Sequence, residues 1–553
     1  MAYTPGILDA AVTIFALVVL RALASKRSAA PLPPGPRGWP IIGNVLDMPK
    51  RSAWEVFSSW GDKFGPSVLS HTQRVERKYE PSNTNDSAGN LVHVSVLGQP
   101  IIIISNVKAA VDLLEKKSGI YSDRPHFQMA DLTGWNEVLI CTDYGNGCRL
   151  QRKLLHRVIG SRIHMQNFHG LIENEIHAFT QRLLNAPEKK TDLIKRSTTA
   201  ISMLMAYGYE IKEHDDPVVS LAEQSVNDLG HLLESGNFLV EIFPWLKYVP
   251  AWFPGASFQK TVKEWSNTLK VLQRTPFEFT KAQVAAGNAI PSVVSEYLDK
   301  DGPASEDEVA IMRTAANIYG AGSDTVSFPL FPYKHTQLNI LYVPHQTTSA
   351  ISTFFLAMTL FPNIQKRAQA EIDGILGTGR LPTLRDRENL PYIDAVVKEV
   401  LRWRPIFPLA VAHRLSSAND DIYDGYLIPK GAIIIPNTWR FMRDPEVYKN
   451  PLEFNPLRFL PEDGSEPELN PHGFVFGYGR RICPGAHMAD AVLFNTCSMV
   501  LALFNISKAT DPATGSPIEP STDYEGEATR RPKEFPCVIK PRSKTAEQLI
   551  LGN

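Results

Sequence analysis

Apolar positions along the chain fall into three patterns, and each predicts a different kind of element. An almost unbroken run, Ala10 to Leu20 (AAVTIFALVVL), lies near the start. Extended from Ile7 to Ala24, it reaches the length of a bilayer-spanning helix when Asp9 and Arg21 sit at the two interfaces. Alternation and then a continuous apolar stretch mark Leu91 to Ser105 (LVHVSVLGQPIIIIS), predicting paired strands around a Gly-Gln-Pro turn. Helical spacing follows from Asn106 to Gly119, with an Asn cap and a closing glycine. It recurs through Gly160 to Leu184, Val262 to Gly287, Pro362 to Leu376 and Ala486 to Phe504. Asp424 to Asn437 returns to strand chemistry. The pattern predicts a mainly α fold with a smaller β portion.

Charge and composition refine this outline. Arg21, Lys26 and Arg27 follow the apolar run, which places the bulk of the chain on the cytosolic side of a membrane. A cleaved signal peptide would want positive charge before the run, and none is there. Residues 1–27 therefore read as a single-pass anchor and residues 28–44 as a stiff hinge, its prolines packed into PLPPGPRGWPIIGN. With no repeat and no low-complexity linker beyond it, 45–545 reads as one large domain. A net charge of −1 over 553 residues excludes a nucleic-acid binder of the basic type. Five scattered cysteines without a C-x-x-C pair indicate neither a disulfide framework nor a zinc site, and imply a reducing compartment.

One cysteine stands in a different chemical setting from the others. In FGYGRRICPG, Phe476 to Gly485, Gly477 and Gly479 permit a tight loop and close backbone approach to a flat ligand. Arg480 and Arg481 put positive charge beside Cys483, and Pro484 and Gly485 open a helix whose free amides favour a thiolate. A lone anionic sulfur suits haem iron and donates electron density that assists O–O cleavage.

These residues resemble the F-x-x-G-x-R-x-C-x-G signature of the cytochrome P-450 (haem-thiolate monooxygenase) family, and the likeness extends from Pro31 to about Arg542. It implies that fold and haem b, with Cys483 as axial ligand and Phe476, Gly477 and Gly485 in the surrounding loop. Glu399 and Arg402 resemble the family's E-x-x-R pair, and Arg458 its later arginine, although P-L-R-F puts Leu457 where the family has Glu. The three are expected to support the haem side of the fold. YGNGCRLQRKLL resembles the helix carrying W-x-x-x-R, with Arg152 matching the arginine and Cys148 replacing the tryptophan that would bind a haem propionate. Arg481 falls on a further propionate position, and Arg414 is another candidate. ANIYGAGSDT resembles the central helix, in which Asp324 and Thr325 would relay protons to bound dioxygen. KYVPAWFPG and IYSDRP look most like fungal microsomal members of the O-methylsterigmatocystin oxidoreductase and tryptamine hydroxylase types.

The chain departs from the family after Thr325. Val326 to Gln346 carries three prolines where a helix should continue, and its removal yields the uninterrupted GAGSDTTTSAISTFFLAMTLFP. Val and Gln codons can carry the GT and AG ends of an intron, and the segment keeps frame, so 326–346 reads as a retained intron. The polar stretch 66–89 is a second suspected insertion or retained intron, with a surface loop as the other reading.

The expectation is a membrane-anchored monooxygenase of the endoplasmic reticulum, its catalytic domain cytosolic, inserting one atom of O2 into a small apolar or aromatic molecule. No Rossmann fingerprint is present, so electrons would come from NADPH-cytochrome P-450 reductase, with cytochrome b5 as a second candidate donor. A haem-thiolate isomerase or dehydratase, and a non-catalytic haem-binding product of the 326–346 insertion, are the alternatives.

Overall fold

The computed structural model describes residues 30–64, 91–213, 215–233, 238–253, 256–298, 305–323, 346–527 and 529–552. The expected anchor, the 66–89 stretch, Asp324, Thr325 and all of 326–346 but its last residue lie outside them.

Helices dominate the described chain, and five of them frame the site: α1 (Asn146–Ile159), α2 (Ser305–Ser323), α3 (Gln346–Leu360), α4 (Pro391–Trp403) and α5 (Ala486–Leu503). α5 is long and apolar enough to cross a membrane, yet 78% of it is buried within the protein, against α3 and α4. Its hydrophobicity is that of a core element enclosed on all sides. Phe354, Phe355, Val397, Phe494, Val500 and Leu501 are fully buried in the cluster around it.

The β portion is small. β1 (Leu91–Val96) and β2 (Gln99–Ile104) form an antiparallel hairpin in which Val94 faces Ile101. β2 runs parallel to β4 (Ile433–Pro436), which pairs antiparallel with β3 (His413–Arg414). β5 (Phe504–Lys508) leaves α5 directly and pairs with β6 (Cys537–Pro541). The expected hairpin is present, with its turn shifted. Leu97 and Gly98 occupy it at φ 50° and 85°, while Gln99 and Pro100 already belong to β2. A two-residue turn with both φ values positive matches strand twist, and Gly98 takes that conformation freely.

The predicted helix from Asn106 is capped as expected, the Asn106 side chain accepting from the Ala109 amide at 2.8 Å. After Ala110 it widens into a π-helical stretch, Val111–Lys116. Gly160 to Leu184, read as one helix, divides into Arg162–Met165, a short 3-10 turn and His169–Asn185. Pro362–Leu376 is a helix with the expected bounds.

Candidate functional site

The loop before α5 has the geometry its glycines allow. Gly477 and Gly479 sit at φ 82° and 49°. A Cβ on Gly479 would come within 2.4 Å of the Leu114 carbonyl, so only glycine lets the loop close onto the Val111–Lys116 stretch. The Cys483 amide donates to the Phe476 carbonyl at 2.7 Å, folding the loop across its own start. Burial pushes the Cys483 thiol up, while the Gly485 amide and the Arg152 guanidinium pull it down. Burial prevails, and a bound metal cation would favour the thiolate form. Among the described residues, no three His, Cys, Asp or Glu side chains are grouped to hold a metal ion. Cys483 is suited to be a single protein ligand.

Three guanidinium groups converge beside this loop. Arg481, buried, donates from Nε to the Ser122 carbonyl at 2.6 Å and from Nη1 to Cys148 Sγ at 3.1 Å. Arg152, on α1, donates to the Ile482 carbonyl at 2.6 Å. Arg124, 6% exposed, donates from Nη1 to the Val411 and Ala412 carbonyls, and its Nε has no hydrogen-bond partner. Burial, then repulsion from Arg481 and Arg152, holds Arg124 well below the ordinary arginine range. Arg481 is lowered in the same way by burial and Arg152, although Asp123 and Asp143 lie near enough to oppose it. Those two carboxylates are engaged by Arg414, at 3.3 and 3.1 Å.

A buried cation without a counter-charge is costly, and three gathered together with a donor left over call for an anion with several acceptors. A group with two carboxylates, such as the propionates of haem b, would meet that demand. Arg124 was missed as a site residue. Its only signal was the segment IYSDRP, whose chemistry does not show that it meets Arg481 across the fold.

The Glu399, Arg402 and Arg458 group is assembled and closed. Glu399 and Arg402 are fully buried, with Arg402 Nε 2.7 Å from Glu399 Oε2 and Arg402 Nη2 2.8 Å from Oε1. Arg458 Nε reaches Glu399 Oε1 at 3.1 Å. The carboxylate missing at Leu457 is supplied from elsewhere: Glu468 Oε2 receives Arg458 Nη1 at 2.6 Å. Cys148, at the expected tryptophan position, is buried and accepts from Arg481 in place of an indole donor.

A cleft of about 770 Å³ opens on the Cys483 side of the loop, its rim carrying Arg149, Arg152, Lys153, Arg162, Arg480 and His487. Asp394 and Asp490 also line it, but both are paired with Arg387. The proton-relay pair Asp324 and Thr325 lies outside the described residues, just beyond the end of α2 at Ser323.

The cytochrome P-450 family model matches residues 33–332 and 334–523. Cytochrome P-450 monooxygenase 208 of Postia placenta is 42% identical, the match covering 98% of this chain and 96% of that protein. Cytochrome P-450 monooxygenase claR of Ampulloclitocybe clavipes is 40% identical over 99% of this chain and 93% of its own. The O-methylsterigmatocystin oxidoreductase of Aspergillus flavus is 35% identical, over 96% and 92%. Among solved structures, a zebra fish cytochrome P-450 with abiraterone superposes with a TM-score of 0.63. It covers 89% of this chain and all of that one at 19% identity, a likeness of fold.

Proposed function

The chain belongs to the cytochrome P-450 family of haem monooxygenases, and from that premise we propose that it inserts one atom of dioxygen into a small apolar or aromatic molecule, with electrons from an NADPH-dependent reductase. The observation that carries this reading is the pairing of the Cys483 loop with the unbalanced arginines Arg124, Arg152 and Arg481. Haem b, when bound, supplies the dioxygen chemistry, and Cys483 as thiolate raises its electron density. Arg124, Arg152 and Arg481 would hold its carboxylates, with Arg414 nearby, paired with Asp123 and Asp143. Phe476, Gly477 and Gly485 shape the loop around the sulfur, and Arg402 and Arg458, joined by Glu399, hold backbone carbonyls between Met442 and Glu453. The Thr325 hydroxyl would deliver protons fed by the Asp324 carboxyl. That arrangement needs α2 and α3 to be one helix, so the competent chain lacks 326–346.

The cationic rim of the cleft nearest Cys483 suits an acidic electron donor such as the reductase or cytochrome b5. Exposed Phe243, Trp245, Tyr248, Trp252 and Phe253, beside Lys247, have the composition of a membrane interface. They favour a cytosolic domain resting on the endoplasmic reticulum membrane.

A carbon monoxide difference spectrum of the reduced protein, with and without 326–346, tests the reading. The thiolate-type band is expected in the deletion and is lost in Cys483→Ala, while Cys141, Cys497 and Cys537 tolerate replacement. Reductase-dependent oxygen uptake with product formation then separates a monooxygenase from an isomerase. A band that survives Cys483→Ala ends the assignment.

A further inference from the structure

We propose that His472 is a positioning residue for the axial cysteine: a ring clamped between Asp490 and Asn470 that fixes Phe476 and, through the Phe476 carbonyl, the backbone of Cys483. This rests on reading Cys483 as the haem ligand.

Both ring nitrogens of His472 face acceptors. Nε2 lies 2.8 Å from Asp490 Oδ1 and Nδ1 lies 3.0 Å from Asn470 Oδ1. Asn470 Oδ1 also accepts the His472 backbone amide at 3.1 Å, which fixes that atom as the oxygen. Lys398 pairs with Asp394 at 2.8 Å, Arg387 with Asp394 and Asp490 at 2.5 Å each, and Asp490 with His472, so one connected series runs from Lys398 to the His472 ring. Asp490 is 6% exposed; burial pushes its carboxyl up, but hydrogen bonds from His472 and Arg387 prevail and hold it well below the ordinary range.

The series ends on the ligand loop. The His472 ring packs on Phe476 with centroids 5.4 Å apart and planes at 34°. The Phe476 carbonyl accepts the Cys483 amide at 2.7 Å. Asp490 stands on α5, which starts three residues after Cys483. The clamp therefore ties the two ends of the ligand loop to each other, and through Arg387 to α4. Outer partners of this kind orient a metal ligand without touching the metal.

The test uses the full haem-loaded chain. His472→Phe keeps a ring on Phe476 and removes both ring nitrogens, His472→Gln keeps one amide donor toward Asp490, and Asp490→Asn removes the charge with little change of shape. Two quantities are read: the rate at which the thiolate-type carbon monoxide band gives way to the thiol-type band, and the midpoint potential. In His472→Phe the conversion should be about tenfold faster and the potential displaced. His472→Gln should recover most of the loss, and Asp490→Asn should match His472→Phe. Rates and potentials equal to the parent in His472→Phe overturn the proposal; so does a faster conversion that tracks lower haem-free stability and is not recovered in His472→Gln. If His472→Phe does not fold, Asp490→Asn decides by the same two readings, and parental behaviour there is equally fatal. A parent chain without a thiolate-type band overturns the monooxygenase reading instead, so the two failures are told apart.

Discussion

Two groups of arginines differ in how their charges are met, the Glu399 group and the group around Arg481, and their difference separates structure from binding. Around Glu399, every charge is met: Arg402 and Arg458 share its carboxylate, Glu468 and the carbonyls of Lys449, Asn450 and Glu453 receive the other donors of Arg458, and backbone carbonyls of Met442, Pro451 and Glu453 receive the rest of Arg402. Around Arg481, three cations meet with carbonyls and a cysteine sulfur between them, and Arg124 Nε has no partner. A closed set of charges holds a fold together. An open set repels itself until an anion arrives, which is how a protein shows where a charged cofactor sits.

That contrast should be largest when each group loses one member. Glu399→Gln leaves Arg402 and Arg458 buried without their counter-charge and should destabilise the chain by about 3–5 kcal/mol, with or without haem. Denaturant unfolding of both forms measures it, and a loss seen only in the haem-loaded form would erase the distinction drawn between the groups.

Arg124→Gln should behave in the opposite way. Removing one of three mutually repelling cations should leave haem-free stability unchanged or slightly raised, whereas haem dissociation should quicken by roughly tenfold or more, for loss of a charge-assisted hydrogen bond of about 1.5–3 kcal/mol. Transfer of haem to an apo-acceptor protein gives the rate. If Arg124→Gln destabilises the haem-free chain as Glu399→Gln does, the open group is a structural one.

The smallest effect belongs to a paired arginine outside either group. Arg380 donates to both oxygens of Asp386, whose carboxylate also caps the Leu384–Asn389 turn with Thr383. The Arg380 hydrogen bonds lead in lowering Asp386 to about 2. Since its folded value lies below its unfolded one, this stabilisation is fully present above the ordinary carboxylate range and disappears as pH falls through about 2. Arg380 is half exposed and screened by water, so Asp386→Asn should cost at most about 1 kcal/mol at neutral pH. It should also flatten the acid limb of the stability profile over that window, and an acid limb identical to the parent's would remove Asp386 from it.

Short-range chemistry was open to reading from the order of residues alone. The Cys483 loop, the Glu399 and Arg402 pair one helical turn apart, the Asn106 cap and the Pro362 start of a helix each depend on residues a few positions apart, and each is present as expected. Hydrophobic period likewise placed α5, because its apolar positions are contiguous. What α5 packs against, and that it is enclosed by protein, was decided only by the assembly of α3 and α4 around it. The same holds for the arginine group: Arg481 meets the Ser122 carbonyl 359 residues away, and Arg124 joins it from the neighbouring turn. Glu468 in place of a carboxylate at Leu457, and His472 against Asp490, are of this kind too. Period and propensity act along the chain within a few residues, whereas burial brings together side chains with no sequential relation. The cysteine in its glycine-lined loop could be read from the sequence, and the charges left unmet beside it appeared only once the chain had folded.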